Sequence, residues 1–143
     1  MSVLENGRTI LVSAVVLRDH RGAVLTVRKR NTDRFMFPGG KPEVGETAEA
    51  AAIREVAEEL AVELDPARLQ LVGVFTAEAA NEPGCKVQAT VFEHPPVSIS
   101  GTAAEIDEMR WQALGERPYP DDLAPLLADH VFPTLAGKQH RAQ

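Results

Sequence analysis

The chain has 143 residues, 44% hydrophobic and 25% charged, the proportions of an ordinary globular protein with room for one domain, spanning residues 1–143. A net charge of −6 argues against general binding to a nucleic acid polymer, and the lone cysteine, Cys85, excludes an internal disulfide framework or an all-cysteine zinc site. The longest apolar stretch, Thr9 to Leu17, is too short to span a membrane, and no cationic segment leads into a small-residue cleavage site, so a cytoplasmic setting is expected.

Thr9 to Arg18 reads as a strand rich in valine and isoleucine, and Ala23 to Arg30 as a second. The turn chemistry of Asp19 to Gly22 between them predicts a hairpin. Phe35, Met36 and Phe37 then run into Pro38-Gly39-Gly40, a breaker followed by two permissive residues. Thr47 to Val62 is the strongest helix: Thr47 suits the N-cap, alanines fill the first turns, and Asp65-Pro66 marks the stop. Leu69 to Ala79 and Lys86 to Glu93 read as strands around a turn at Asn81 to Gly84, and Met109 to Trp111 as a short one. A last helix is expected from a cap at Asp121 or Asp122 to about His130, with Pro125 in its first turn. The ordered core should run over about residues 8 to 135, with a frayed tail from Gly137. Strands on both sides of one strong helix, with a second helix at the end, give a mixed α/β layered domain.

The acidity is concentrated. Glu43, Glu46, Glu49, Glu55, Glu58, Glu59 and Glu63 crowd into one segment. At about 100° per residue, Glu55, Glu58 and Glu59 share one narrow helix face, while Ile53, Val56 and Leu60 form an apolar stripe on the other side. Like charges at i, i+3 and i+4 repel, so the arrangement makes sense where something cationic neutralises it. Oxygen donors of this kind favour Mg²⁺ or Mn²⁺. For three glutamates alone a solvated acidic face is the plainer account, and the flanking residues decide.

From Gly40, five residues lead to Glu46, seven more to Arg54, and then Arg54-Glu55-Val56-Ala57-Glu58-Glu59-Leu60-Ala61-Val62 follows. This spacing resembles the Nudix box, the signature of the Nudix hydrolase family. Six fixed identities match (Gly40, Glu46, Arg54, Glu55, Glu58, Glu59), a coincidence of about one in 10⁷ per register at roughly 7% usage per residue type. Val56 and Val62 fit the aliphatic positions; Ala61 departs from the pattern by standing where the family has glycine. Glycine there suits a left-handed helix end, at which alanine costs about 1 kcal/mol.

The resemblance implies a Nudix-type α/β/α sandwich with a mixed sheet between helices. It also implies Mg²⁺- or Mn²⁺-assisted hydrolysis of a nucleoside diphosphate-linked substrate by water attack on phosphorus. Carried onto this chain, it makes Glu55, Glu58 and Glu59 metal ligands together with the Gly39 carbonyl. Glu46 and Arg54 would form a supporting ion pair. A further carboxylate usually comes from a later loop: Glu105, six residues before Trp111, matches the MutT-like pattern, with Glu108 as runner-up. The general base stays open between Glu105 and the helix glutamates. Arg28 resembles the position that contacts a substrate phosphate; Arg30 shares its strand face, with Lys29 pointing the other way, and Gly40 would border the substrate.

Within the family, the small MutT-like members suggest a (deoxy)nucleoside triphosphate, oxidised ones included. The alternative is ADP-ribose or another nucleotide sugar, although the stretch Thr76 to Ala79 lacks the proline such members often carry beyond the box. Tyr119 is too distant for the dinucleoside polyphosphate pattern. A non-catalytic nucleotide-sensing domain is a different class, but such domains usually lose a box carboxylate. A calcium-binding structural module would need an Asp-rich loop that is missing here. Cys85 reads as a turn residue, Trp111 as structural, and His20, His94, His130 and His140 show no metal-ligand spacing. Monomer and homodimer are both compatible with the sequence.

Overall fold

The computed structural model describes residues 8–80 and 82–141, with side chains up to 137. Strand β1 (Thr9–Leu17) lies inside a mixed sheet and has both neighbours filled. On one side it runs parallel to β5 (Lys86–His94), pairing from Thr9 with Lys86 to Leu17 with His94. On the other it meets the two-residue strand β3 (Gly39–Gly40), with Ser13 opposite Gly40 and Ala14 opposite Gly39. Strand β4 (Gln70–Glu78) closes the sheet antiparallel to β5.

The expected hairpin is corrected. Its turn forms: Asp19 Oδ1 accepts from the N–H groups of Arg21 and Ala23 at 2.9 Å. After one bridge between Arg18 and Val24, however, the strands part. Strand β2 (Val24–Lys29) pairs instead with β6 (Ile106–Gln112), longer than the expected Met109 to Trp111, in a two-stranded antiparallel sheet. The physical reason is that both hydrogen-bonding edges of β1 are already taken, by β3 and by β5.

Alternation in β1 separates two cores. Val15 and Leu17, with Leu25 and Val27, pack under Ala52, Val56 and Leu60 of helix α1 (Ala48–Leu60). Ala14 and Val16 face the opposite side, against Leu127, Val131, Phe132 and Leu135. Burial on both faces explains why β1 reads as a continuous apolar run rather than an alternating one. The result is helix, sheet and helix in layers.

Helix α1 begins as expected, with Thr47 Oγ1 accepting from Ala50 N–H at 3.0 Å, but ends at Leu60 because Ala61 turns left-handed (φ 56°, ψ 38°). The last helical segment departs from its expected limits at both ends. A π-helical stretch, Leu126–Val131, leads into α2 (Phe132–Arg141), so the expected stop near His130 is corrected. Neither Asp121 nor Asp122 caps it; both Asp122 carboxylate oxygens bind Arg110 instead, at 3.0 and 2.6 Å. Pro125 precedes the stretch, where a missing N–H costs nothing. Of the expected Asn81–Gly84 turn, Asn81 lies outside the described residues, as do Met1–Gly7 and residues 142 and 143.

Candidate active site

Two glycines bring the loop after β2 against the helix. Gly39 has φ 150°, and a Cβ there would collide with the Ser13 carbonyl oxygen. Its freedom from a side chain lets the loop pair closely with β1. A Cβ on Gly40 would run into the Glu55 carboxylate. Ser13 Oγ donates to the Ala48 carbonyl at 2.8 Å, fastening the start of α1 to the same strand. Loop, strand and helix are thereby held in one register.

The three helix glutamates occupy graded surroundings. The side chain of Glu58 is 55% exposed, that of Glu55 15%, and that of Glu59 fully buried. The helical wheel put Glu59 opposite the core; the glycine loop covers that face and buries it. Gly39 N–H donates to Glu59 Oε1 at 3.2 Å. Among the described residues Glu59 Oε2 accepts no hydrogen bond, and its close neighbour is the Lys29 ammonium, 3.0 Å away. Lys29 also donates to the Gly39 carbonyl, at 2.9 Å. Burial pushes the Glu59 carboxyl up to about 7, against the opposing pull of Lys29.

Arg54 gathers the remaining acids. It meets Glu46 through two prongs, Nε to Oε2 at 2.8 Å and Nη2 to Oε1 at 2.9 Å. Its Nη1 reaches Glu55 at 3.0 Å and Glu58 at 3.4 Å, and Nη2 donates to the Lys41 carbonyl at 3.2 Å. The guanidinium, helped by the Glu43 N–H, holds the Glu46 carboxyl down at about 2, and the same contacts raise Arg54. Bidentate pairing of this kind fixes orientation as well as charge.

Beside these groups opens a cavity of about 420 Å³. Lys29, Gly39, Gly40, Glu55 and Glu105 line its polar part; Met36, Phe37, Leu126 and Leu127 line an apolar part. The Glu105 loop is tied down at two points. Arg30 N–H donates to the Glu105 carbonyl at 2.7 Å, and Ala103 N–H to the carbonyl of Glu59 at 2.8 Å.

The structure thus gathers Gly39, Gly40, Glu46, Arg54, Glu55, Glu58 and Glu59 around one loop and one helix, with Glu105 across the cavity. It does not bring Arg28 or Arg30 to that cavity. Arg28 faces Glu108 at 3.4 Å and Asp107 at 3.6 Å, and donates to the Thr32 carbonyl at 3.0 Å. Arg30 binds the Ala104 carbonyl at 2.9 Å. Sequence reasoning missed Lys29, a cation that lines the cavity beside Gly39 and Glu59. The signal lay in strand parity: Leu25 and Val27 face α1, and Lys29 continues their side of β2. Glu108, engaged by Arg28, is likewise not among the lining residues. His94 is buried and structural, its Nε2 accepting from Asp65 N–H at 3.0 Å.

Among the described residues no three acidic, histidine or cysteine side chains converge closely enough to hold an ion. Two cations, Lys29 and Arg54, stand among the carboxylates instead. The donor set nevertheless suits a hard cation: a buried oxygen without a hydrogen bond, a backbone carbonyl beside it, and an ammonium already resting on both. No helix of the described residues is long and apolar enough to cross a membrane.

The model of the NUDIX domain matches residues 7–133. Among solved structures, the chain is similar to a MutT protein from Methanosarcina mazei Go1, at 22% identity and TM-score 0.74, over 95% of this chain and 97% of that one. It is similar to the ORF135 protein of E. coli, at 27% identity and TM-score 0.64, over 94% of this chain and 91% of that one. It also resembles the E. coli dihydroneopterin triphosphate pyrophosphohydrolase, at 23% identity and TM-score 0.57, over 73% of this chain and 80% of that one. With the matched domain covering most of the chain and the box residues assembled on one loop and helix, the protein belongs to the Nudix family, hydrolases of phosphorus-containing acid anhydrides that act on small nucleotides.

Proposed function

We propose that the protein is a divalent-cation-dependent pyrophosphohydrolase, with Mg²⁺ first and Mn²⁺ as substitute, that cleaves a (deoxy)nucleoside triphosphate, oxidised ones included. The observation that carries this reading is the division of one cavity into a charged half at Gly39, Gly40, Glu55 and Glu105 and an apolar half at Met36, Phe37, Leu126 and Leu127. A nucleotide has the same two halves, and the volume falls in the usual range for a small-molecule site. The E. coli protein named as a dihydroneopterin triphosphate pyrophosphohydrolase carries a similar fold, which supports a triphosphate as the first substrate to try.

In this reading the Gly39 carbonyl and the carboxylates of Glu55, Glu58, Glu59 and Glu105 would hold the cation. When bound, it offsets the charge of the anhydride and makes water easier to deprotonate. The chain's own residues do the rest. Arg54, locked by Glu46, keeps Glu55 and Glu58 in place against their mutual repulsion. The bare backbone of Gly40 leaves room for the Glu55 carboxylate to lie against the glycine loop. Glu105, exposed at the cavity, would take the proton of the attacking water, with the helix glutamates as the other candidates for that duty. The apolar half covers the base and excludes water from it.

The test is a coupled assay of phosphate or pyrophosphate release. Its panel holds nucleoside triphosphates, oxidised triphosphates, ADP-ribose, nucleotide sugars and dinucleoside polyphosphates, each with and without chelator. Chelator-sensitive turnover of a triphosphate above the other classes is the expected outcome. Preferred turnover of ADP-ribose or a nucleotide sugar would reassign the substrate, and nucleotide binding without turnover would point to a sensing domain.

A further inference from the structure

The Lys29 ammonium rests on two of the groups assigned above to the cation, and this contact has a consequence for how the site is loaded. Nζ is 2.9 Å from the Gly39 carbonyl oxygen and 3.0 Å from Glu59 Oε2. Glu59 is fully buried, and Oε2 accepts no hydrogen bond among the described residues. A buried carboxylate without a countercharge is costly, and the Lys29 ammonium, 3.0 Å from Oε2, supplies that countercharge. A divalent cation on the same two oxygens would meet the ammonium at a distance no two cations tolerate in a partly dry site. One of them must leave.

We propose that Lys29 is a resident counter-cation of the metal-free site, displaced from Gly39 and Glu59 when a divalent ion binds. The proposal rests on the metal-dependent reading above. Lys29 can move without breaking the fold: it stands on the last residue of β2, its side chain is 25% exposed, and the adjoining cavity gives its flexible stem space. Arg54 is unlike it in this respect. Its two prongs to Glu46 and its bond to the Lys41 carbonyl hold it in place, so it screens Glu55 and Glu58 without occupying the Gly39 carbonyl. Lys29 therefore stabilises the empty site and weakens the affinity of the same site for metal.

Binding of Mn²⁺ alone, followed through the electron paramagnetic resonance signal of the free ion at pH 8.5, tests this in wild type, Lys29→Met and Lys29→Arg. Loss of one charge-assisted contact predicts about tenfold tighter Mn²⁺ binding by Lys29→Met, with Lys29→Arg near wild type. Acylation of lysines in wild-type protein, read by mass spectrometry, gives an answer independent of whether Lys29→Met folds. Mn²⁺ should speed modification of Lys29 severalfold while leaving exposed Lys86 unchanged. Equal or weaker Mn²⁺ binding by a folded Lys29→Met, or Lys29 acylation unchanged at saturating Mn²⁺, overturns the proposal. Wild-type protein that binds no Mn²⁺ overturns the metal-dependent reading itself, and the proposal with it.

Discussion

Three glutamates on one helix face differ in what surrounds them, and this separates what each substitution should do. Glu58 is exposed and meets Arg54 at 3.4 Å, so Glu58→Gln should leave the melting temperature within about a degree or two. Glu59 is buried, yet burial already penalises its anion, so the neutral, isosteric Glu59→Gln should also fold. Both should lower chelator-sensitive turnover by about a hundredfold or more, read as kcat alongside circular dichroism. Undiminished kcat in either would refute the site assignment. Glu46 gives a prediction with a sign in pH. Its carboxyl is held down at about 2 by Arg54, below its ordinary 4.5, so the folded state favours the anion. The contribution of the pair is then complete above about pH 4.5 and is lost as pH falls toward about 2. Urea titrations should show Glu46→Gln less stable than wild type at neutral pH, with the gap closing over that acid window. A gap independent of pH would mean that the ion pair does not anchor the helix.

At the scale of elements, periodicity made the central features legible. Helix α1 was readable because Thr47, the alanine-rich first turns and the stripe of Val56 and Leu60 all point to one answer. The box residues came with it, since their spacing is carried by one loop and one helix. Pairing was less legible, because a turn such as Asp19 to Gly22 specifies a reversal and not which strands then hydrogen-bond. Whether β2 meets β1 or β6 depends on competition for the edges of β1, a tertiary matter. Lys29 was lost for the same reason: alternation separates it from Arg28 and Arg30, but only the packed helix tells which face is the site. Ala61 was legible in part: the expected helix ran through it to Val62, but its place where the family has glycine marked a position that suits a left-handed end, and φ there is 56°. Ala61→Gly should relieve that strain and raise the melting temperature by about 2–4 °C, corresponding to about 0.5–1 kcal/mol after the flexibility of glycine is counted. A lower melting temperature would show that the neighbouring packing compensates alanine already.

At the scale of the molecule, the layered fold brings polar and apolar chemistry to the lining of one cavity. Helix α1 and the glycine loop furnish polar lining groups, while the segment leading into α2, with Phe37 and Met36, furnishes apolar ones. These parts are far apart in sequence and meet because β1 buries both its faces, Val15 toward one helix layer and Ala14 toward the other. If the apolar half binds the base and the charged half performs the chemistry, the two functions should be separable by mutation. Val87, on β5, lines the cavity without belonging to the fully buried core, so it accepts a larger side chain at modest structural cost. Val87→Trp should fill part of the apolar half and raise KM for the preferred nucleotide by about tenfold, as expected for loss of a hydrophobic contact surface of a few atoms. Because the carboxylates and Arg54 are untouched, kcat at saturating nucleotide and the chelator sensitivity should stay close to wild type. A fall in kcat with KM unchanged would mean that this half of the cavity takes part in the hydrolytic step and not in holding the base.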